Sequence, residues 1–205
     1  QGHLQLGCLV SFAQIVVPKL RRSFEAAHPA VKLSQSELTQ SEIFTALRQG
    51  DIDLAISYAI DLPKDLEFQA IKSLPPFVML APDHPLANNK ILTVEQLTGH
   101  AMVLLDLPLS SDYFLSFFSR TGPRPIIAER TKDLAVARSL VANGFGYSVI
   151  NYRPIGTHAP DGKPLIFVPL ESEVPPLPVG LLSLKGLTTR RIYSAFLDLC
   201  REEMK

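Results

Sequence analysis

Ala46-Leu47-Arg48-Gln49-Gly50-Asp51-Ile52-Asp53-Leu54-Ala55-Ile56-Ser57 reads as a helix end, a glycine stop, an acidic turn and a buried strand. Glycine closes a helix in the left-handed conformation at no steric cost. Ile52, Leu54 and Ile56 alternate on one side of the strand, and Ala55 on the other side is also apolar. A strand apolar on both faces is covered on both, as in a parallel sheet flanked by helices. The run stops at Ser57, and open α/β sheets place their ligands at the carboxyl ends of strands. Asp51 and Asp53 read as turn residues. Nothing in the stretch is a catalytic signature, so it points to recognition of a small molecule.

Upstream, residues 4–10 form an apolar run that reads as a first strand. Phe12, Val16, Leu20 and Phe24 then follow at helical spacing, with Pro18 either kinking that helix or marking the first turn of its main part. His28-Pro29 ends it, and Val31, Leu33 and Gln35 open a second strand. Thr39 and Glu42 have capping-box spacing ahead of a helix that buries Ile43, Phe44 and Leu47. The first 60 residues thus read strand–helix–strand–helix–strand, an α/β pattern.

Prolines and charges replace the regular pattern over 63–76. Beyond them come a strand at 77–81, a Pro82 to Leu86 turn, and a Thr93/Gln96 capping box with Gly99 as the stop. A strand at 101–105 leads to a helix capped by Ser110 or Ser111, carrying Phe114, Phe117 and Phe118 and ending at Gly122. A strand at 126–128, a helix over 133–143 stopped by Gly144, and a strand at 147–150 repeat the α/β logic. Strands at 165–170 and 179–184 and a last helix, with Ile192, Phe196, Leu199 and Cys200 inward, complete the chain. The order predicts two Rossmann-like α/β lobes, the second inserted in the first: residues 1–80 and 163–205, and residues 81–162. Two crossing strands would make a hinge, and a cleft between lobes would be the ligand site.

Composition narrows the function. Lys plus Arg is 20 and Asp plus Glu is 20, whereas a module gripping phosphate backbones carries a basic excess. Direct contact with nucleic acid is therefore not expected. No apolar run approaches the roughly 20 residues of a membrane span, and no secretory leader opens the chain. Cys8 and Cys200 read as buried, unreactive thiols rather than a disulfide. The five histidines lack metal-ligand spacing, and Gly144-Phe145-Gly146 lacks the third glycine of a dinucleotide fingerprint. No cofactor, metal or catalytic residue is predicted. The start at Gln1 rather than Met suggests a fragment or a processed product.

Leu47 to Ile56 resembles the most recurrent segment of the effector-binding domain of LysR-type transcriptional regulators. Other pieces fall in the same order: Leu6-Gly7 ahead of Val17-Pro18-Lys19-Leu20, Phe24 to Val31, Ala81 to Ala87, and Ser139 to Ser148. The match covers nearly the whole chain. The resemblance implies a fold like type 2 periplasmic binding proteins and a bacterial, cytoplasmic regulator. It also implies a winged helix-turn-helix and linker helix ahead of this domain, neither of which is in this sequence. Such regulators contact DNA only through that missing part, pair as homodimers of this domain, and are expected as homotetramers at full length. In place of a strand ending in proline, Ile150-Asn151-Tyr152-Arg153-Pro154 delays the proline.

Candidate ligand contacts lie at strand ends. Ser11 opens a helix and matches a position where the resemblance implies a hydroxyl on the effector; the alternative is a plain N-cap. Phe12 and Tyr58 would supply apolar walls, with Gln40 and Ser57 as polar contacts and Thr39 as a cap. From the second lobe, Leu107 and Ser110 in a strand-to-helix turn, Thr131 at a strand end and Phe145 between glycines are candidates. Arg130 or Lys132 would balance an acidic ligand. Converging helix N-termini beside apolar rings predict a small organic anion as effector. A transporter's solute-binding protein or an enzyme on the same fold are the alternatives, separated by the upstream gene segment and by turnover of the bound ligand.

Overall fold

The computed structural model describes residues 2–118, 122, 124–187 and 190–204. In chain order its elements are β1 (Gly2–Cys8), α1 (Val10–Ile15), α2 (Val17–Ala27), β2 (Val31–Glu37), α3 (Gln40–Gln49), β3 (Leu54–Tyr58) and β4 (Leu66–Leu74). Then come β5 (Phe77–Leu80), β6 (Leu92–Thr93), α4 (Val94–Leu97), β7 (Ala101–Leu105), α5 (Ser110–Ser116), β8 (Ile126–Thr131) and α6 (Leu134–Ala142). The last are β9 (Ser148–Ile150), β10 (Ile166–Glu171), β11 (Leu177–Leu184) and α7 (Arg191–Glu203). Two compact units result: Gln1–Ser73 with Pro178–Lys205, and Leu74–Leu177. The second is inserted in the first. Its boundaries lie further out than 81 and 162, because β5 and β10 pair with each other and with β9 and β6 inside it.

The first unit is a five-stranded sheet in the order β2-β1-β3-β11-β4. β1 is parallel to both β2 and β3, with Cys8 opposite Glu37 and Ile56, and β11 returns antiparallel to β3. The opening segment behaves as its sequence dictates. Thr39 and Glu42 form the capping box of α3, whose end is closed by Gly50 at φ 77°. The Asp51 N–H reaches back to the Ala46 carbonyl and the Gly50 N–H to that of Leu47, closing the helix as a Schellman turn. Asp53 is more than a turn residue, since its carboxylate accepts the Gln5 N–H at 2.8 Å and so extends the β1 ladder. All five β3 residues are buried.

The Phe12–Phe24 ridge is continuous in burial but not in backbone. Phe12, Val16, Leu20 and Phe24 are all buried, yet the helix breaks at Val16 and restarts at Val17 with Pro18 in its first turn. Proline lacks the N–H that a continuous helix needs there, whereas a first turn tolerates it. Strand β4 occupies part of 63–76, where no regular element was expected. It is mostly half-buried, and its alternation of Leu66, Phe68 and Ala70 with Glu67 and Gln69 lapses at Ile71, so its strand signature is weak. In α7 the buried residues are Tyr193, Phe196, Leu197 and Cys200, so the helix is rotated from the expected face and Ile192 and Leu199 are only half-buried. Phe196 packs edge-on against Phe24 with ring centroids 5.1 Å apart.

The second unit pairs its strands as β6-β10-β5-β9 and β7-β8. Tyr147 joins the two groups, its N–H donating to Ala101 and its carbonyl accepting from Val103. Phe114, Phe117 and Phe118 are core, as their spacing predicts, together with Leu104, Tyr147 and Val149. Asp133 caps α6 through the Ala135 N–H. α4 ends at Leu97, ahead of the expected stop at Gly99. α5 ends at Ser116, so Phe117 and Phe118 lie in the turn that follows rather than in a helix reaching Gly122, and 119–121 fall outside the described residues. Buried Asn151 donates to the Leu74 carbonyl (2.8 Å) and to the Tyr113 hydroxyl, which donates in turn to the Pro175 carbonyl. Among the described residues no helix is long and apolar enough to cross a membrane.

Candidate functional site

In the first unit, parallel register brings the carboxyl ends of β1, β2 and β3 to one edge. Ser11, Phe12, Gln40, Ser57 and Tyr58 meet there, all buried. The Gln40 amide is committed locally. Its Nε2 donates to the Tyr58 carbonyl at 3.0 Å, and its Oε1 accepts the Ser57 hydroxyl at 2.7 Å. Gln40 is thus the first residue of α3 rather than the end of β2, and it ties that helix to the tip of β3. Phe12 and Tyr58 stack with centroids 5.2 Å apart at 59°. Ser11 is not a cap: Leu9 holds that position, and Ser11 lies within the first turn of α1.

This buried amide–hydroxyl pair carries a stability prediction. Gln40→Leu removes the shorter bond of the Ser57 hydroxyl and the amide donor to the Tyr58 carbonyl, leaving the 3.2 Å Ser57–Tyr58 contact, at about 1–3 kcal/mol. Adding Ser57→Ala should recover part of that loss, because both polar partners are then gone. Urea unfolding of the two single variants and the double variant checks this. Strictly additive losses would exclude the coupling.

In the second unit, Leu105 lies opposite Thr131 in the parallel β7–β8 pair, so the Leu107 turn and Thr131 share one end of the sheet. The Thr131 hydroxyl accepts the Asp133 N–H at 3.2 Å, steering the chain into α6. Ser110 is buried as the first residue of α5, and neither it nor Ser111 is the cap. That position belongs to Leu109 at φ 67° and ψ −37°, a conformation L-residues rarely adopt. Phe145 does not join this group. It is about half exposed and sits beside Gly146, which lies against Ala101 at the opposite end of β7.

Three features depart from the sequence reading. α1 and α5 are 6 and 7 residues long, so few peptide dipoles add at their N-termini. Arg130 is not spare, since it pairs with Asp106 at 3.0 Å. His84 and His100, far apart in sequence, stack with centroids 5.1 Å apart, and burial together with the His100 charge lowers the His84 pKa. Sequence reasoning also missed Arg153, which lies over the Phe77 and Phe167 rings. Only contacts between distant segments could have shown either. Burial pushes the Cys8 thiol up to about 12, and Cys200 is raised as well, so neither is poised as a nucleophile.

The sequence profile described as the LysR substrate binding domain matches residues 1–205. The transcriptional activator protein LysR of Escherichia coli (strain K12) is 31% identical over 156 residues, covering 74% of this chain and 49% of that protein. The chain spans about half the length of the curated relatives it matches. HinK, a LysR family transcriptional regulator from Pseudomonas aeruginosa, superposes with a TM-score of 0.93 at 29% identity, over 99% of this chain and 71% of that one. The BenM effector binding domain, solved with its effector benzoate, matches with a TM-score of 0.84 over 98% of this chain and 91% of that one. At 19% identity that likeness concerns the fold alone, a mixed α/β architecture of the type 2 periplasmic-binding-protein kind.

Proposed function

Because the chain belongs to the family of LysR substrate binding domains, we propose that it is the effector-sensing part of a transcriptional regulator that responds to a small organic anion. The observation that carries the reading is the gathering of Ser11, Phe12, Gln40, Ser57 and Tyr58 at the carboxyl ends of three adjacent strands. That is where open α/β sheets bind ligands, and the group combines aromatic surface with hydroxyls. Leu107, Ser110 and Thr131 form the corresponding group of the second unit. Phe145 stands apart from them. The ligand acts by its differential affinity for two states of the regulator, and about 1–3 kcal/mol of coupling is a working switch.

The chain recognises its ligand without transforming it, with neither cofactor nor metal. DNA is reached through the remainder of a longer cytoplasmic protein, paired through this domain as a homodimer and assembled as a homotetramer. Screening carboxylates by thermal shift tests the reading, with benzoate-like acids as the first class. A ligand at a hundredfold excess over its Kd stabilises by about 2.7 kcal/mol. Ser11→Ala and Ser110→Ala should each weaken the shift. Hits confined to neutral or cationic compounds would overturn the anion, and turnover of a bound hit would overturn the non-enzymatic reading.

A further inference from the structure

Arg153 follows the carboxyl end of β9, and its guanidinium carbon lies 5.8 Å from the centroid of the Phe77 ring and 5.4 Å from that of Phe167. Strand register fixes both rings. Phe77 stands opposite Ile150 across β5 and β9, and Phe167 opposite Met79 across β10 and β5. Both rings pack, with Leu107, on the small buried cluster of Leu105, Leu134 and Ile150. A guanidinium over two immobilised rings is held in place by cation–π attraction, while its N–H edge keeps its donors.

Among the described cations of this unit, Arg130, Arg138 and Lys163 are engaged by polar partners. Arg130 pairs with Asp106, and Arg138 donates to the carbonyls of Gly156 and His158. Lys132 is exposed. Among the described residues no carboxylate forms an ion pair with Arg153. This cation therefore has a rigid apolar seat and an unpaired donor edge. The cluster on which its two rings pack includes Leu105 and Leu107, at the end of the sheet that also holds Thr131.

Building on the reading of the ligand as an organic anion, we propose that Arg153 is the residue of the second unit that recognises the ligand's carboxylate. The planar fork accepts a carboxylate through two parallel N–H···O bonds. Phe77 and Phe167 form the apolar surface beneath, with Leu107 on the same cluster, so the class favoured is an acid with an aromatic or aliphatic body. Arg153, rather than Arg130 or Lys132, sets the preference for acid over amide.

The test titrates the 205-residue chain with benzoate, cyclohexanecarboxylate and the neutral isostere benzamide, reading Kd by calorimetry and the arginine Nε–H signals by NMR. The acids should bind and shift the Arg153 Nε–H signal, and benzamide should do neither. Arg153→Gln, which keeps a stem over the rings, should weaken acid binding about ten- to hundredfold, the range of a lost charged hydrogen bond. Arg153→Lys should fall between, since a point charge loses the fork. Arg130→Gln should bind the acids as the parent does. Parent-like acid binding by a folded Arg153→Gln chain would overturn the assignment and leave the anion reading standing. Failure of a broad carboxylate panel to bind the parent would overturn both.

Discussion

Gly146→Ala is expected to destabilise the second unit by about 3–5 kcal/mol, the sum of strained φ, overpacking and a lost hydrogen bond. Gly146 has φ 149°, and an added Cβ would collide with the Ala101 carbonyl, with Met102 N at 3.2 Å as well. That carbonyl accepts the Tyr147 N–H at 2.9 Å, and the Tyr147 carbonyl accepts from Val103 at 2.7 Å. To make room, the chain must retreat from β7 and open the seam that joins β7–β8 to the rest of the unit. Gly50→Ala is the control. Gly50 also has positive φ, but nothing lies within 4 Å of the added Cβ, so only the conformational strain of about 1–2 kcal/mol applies. Hydrogen exchange at the Tyr147 and Val103 amides, with urea midpoints for both variants, reads the difference. Equal losses would mean that the close approach at Ala101 carries no energy.

Phe12→Ala is expected to cost about 3–5 kcal/mol, typical of removing a buried aromatic ring. Phe12 is fully buried beneath the strand ends, and its ring supports Tyr58. Phe12→Leu keeps most of the volume and should lose less than about 1.5 kcal/mol. Chemical denaturation of both variants measures the gap, and a Phe12→Ala loss below about 1 kcal/mol would contradict the packing described. The leucine variant remains folded, so ligand titration on it separates a contact at position 12 from a purely structural role. A core residue gives parent-like affinity, and a contacting ring gives weaker binding.

Local signals made much of the fold legible. The Thr39–Glu42 box, the Gly50 stop and the apolar run behind them mark α3 and β3 because caps and turns depend on residues a few positions apart. β4 was not legible: Leu66–Leu74 alternates weakly and owes its place to pairing in the sheet. The same distinction holds for the site. Strand ends offered Ser11, Ser57 and Thr131 as candidates, but did not show that Gln40 bonds to Ser57, 17 residues away. Nor could spacing show that Asp106 pairs with Arg130 or that two distant phenylalanines seat Arg153. Charge partners and ring stacks are products of tertiary contact. Single-sequence periodicity does not encode them.

The Asn151–Tyr113 hydrogen bonds have a consequence for how this architecture can be rebuilt. They tie Leu74 and Pro175, close to the two points where the inserted unit starts and finishes, to one hydrogen-bonded side-chain pair. In the remaining unit β4 and β11 are sheet neighbours, and the Lys185 N–H meets the Asp65 carbonyl, so a short turn from Ser73 to Pro178 would convert them into a hairpin. Each unit thus keeps its own pair of cut ends close together. The insert is a cassette, open to exchange for another recognition module with little loop-closure cost and no change to the sheet that hosts it.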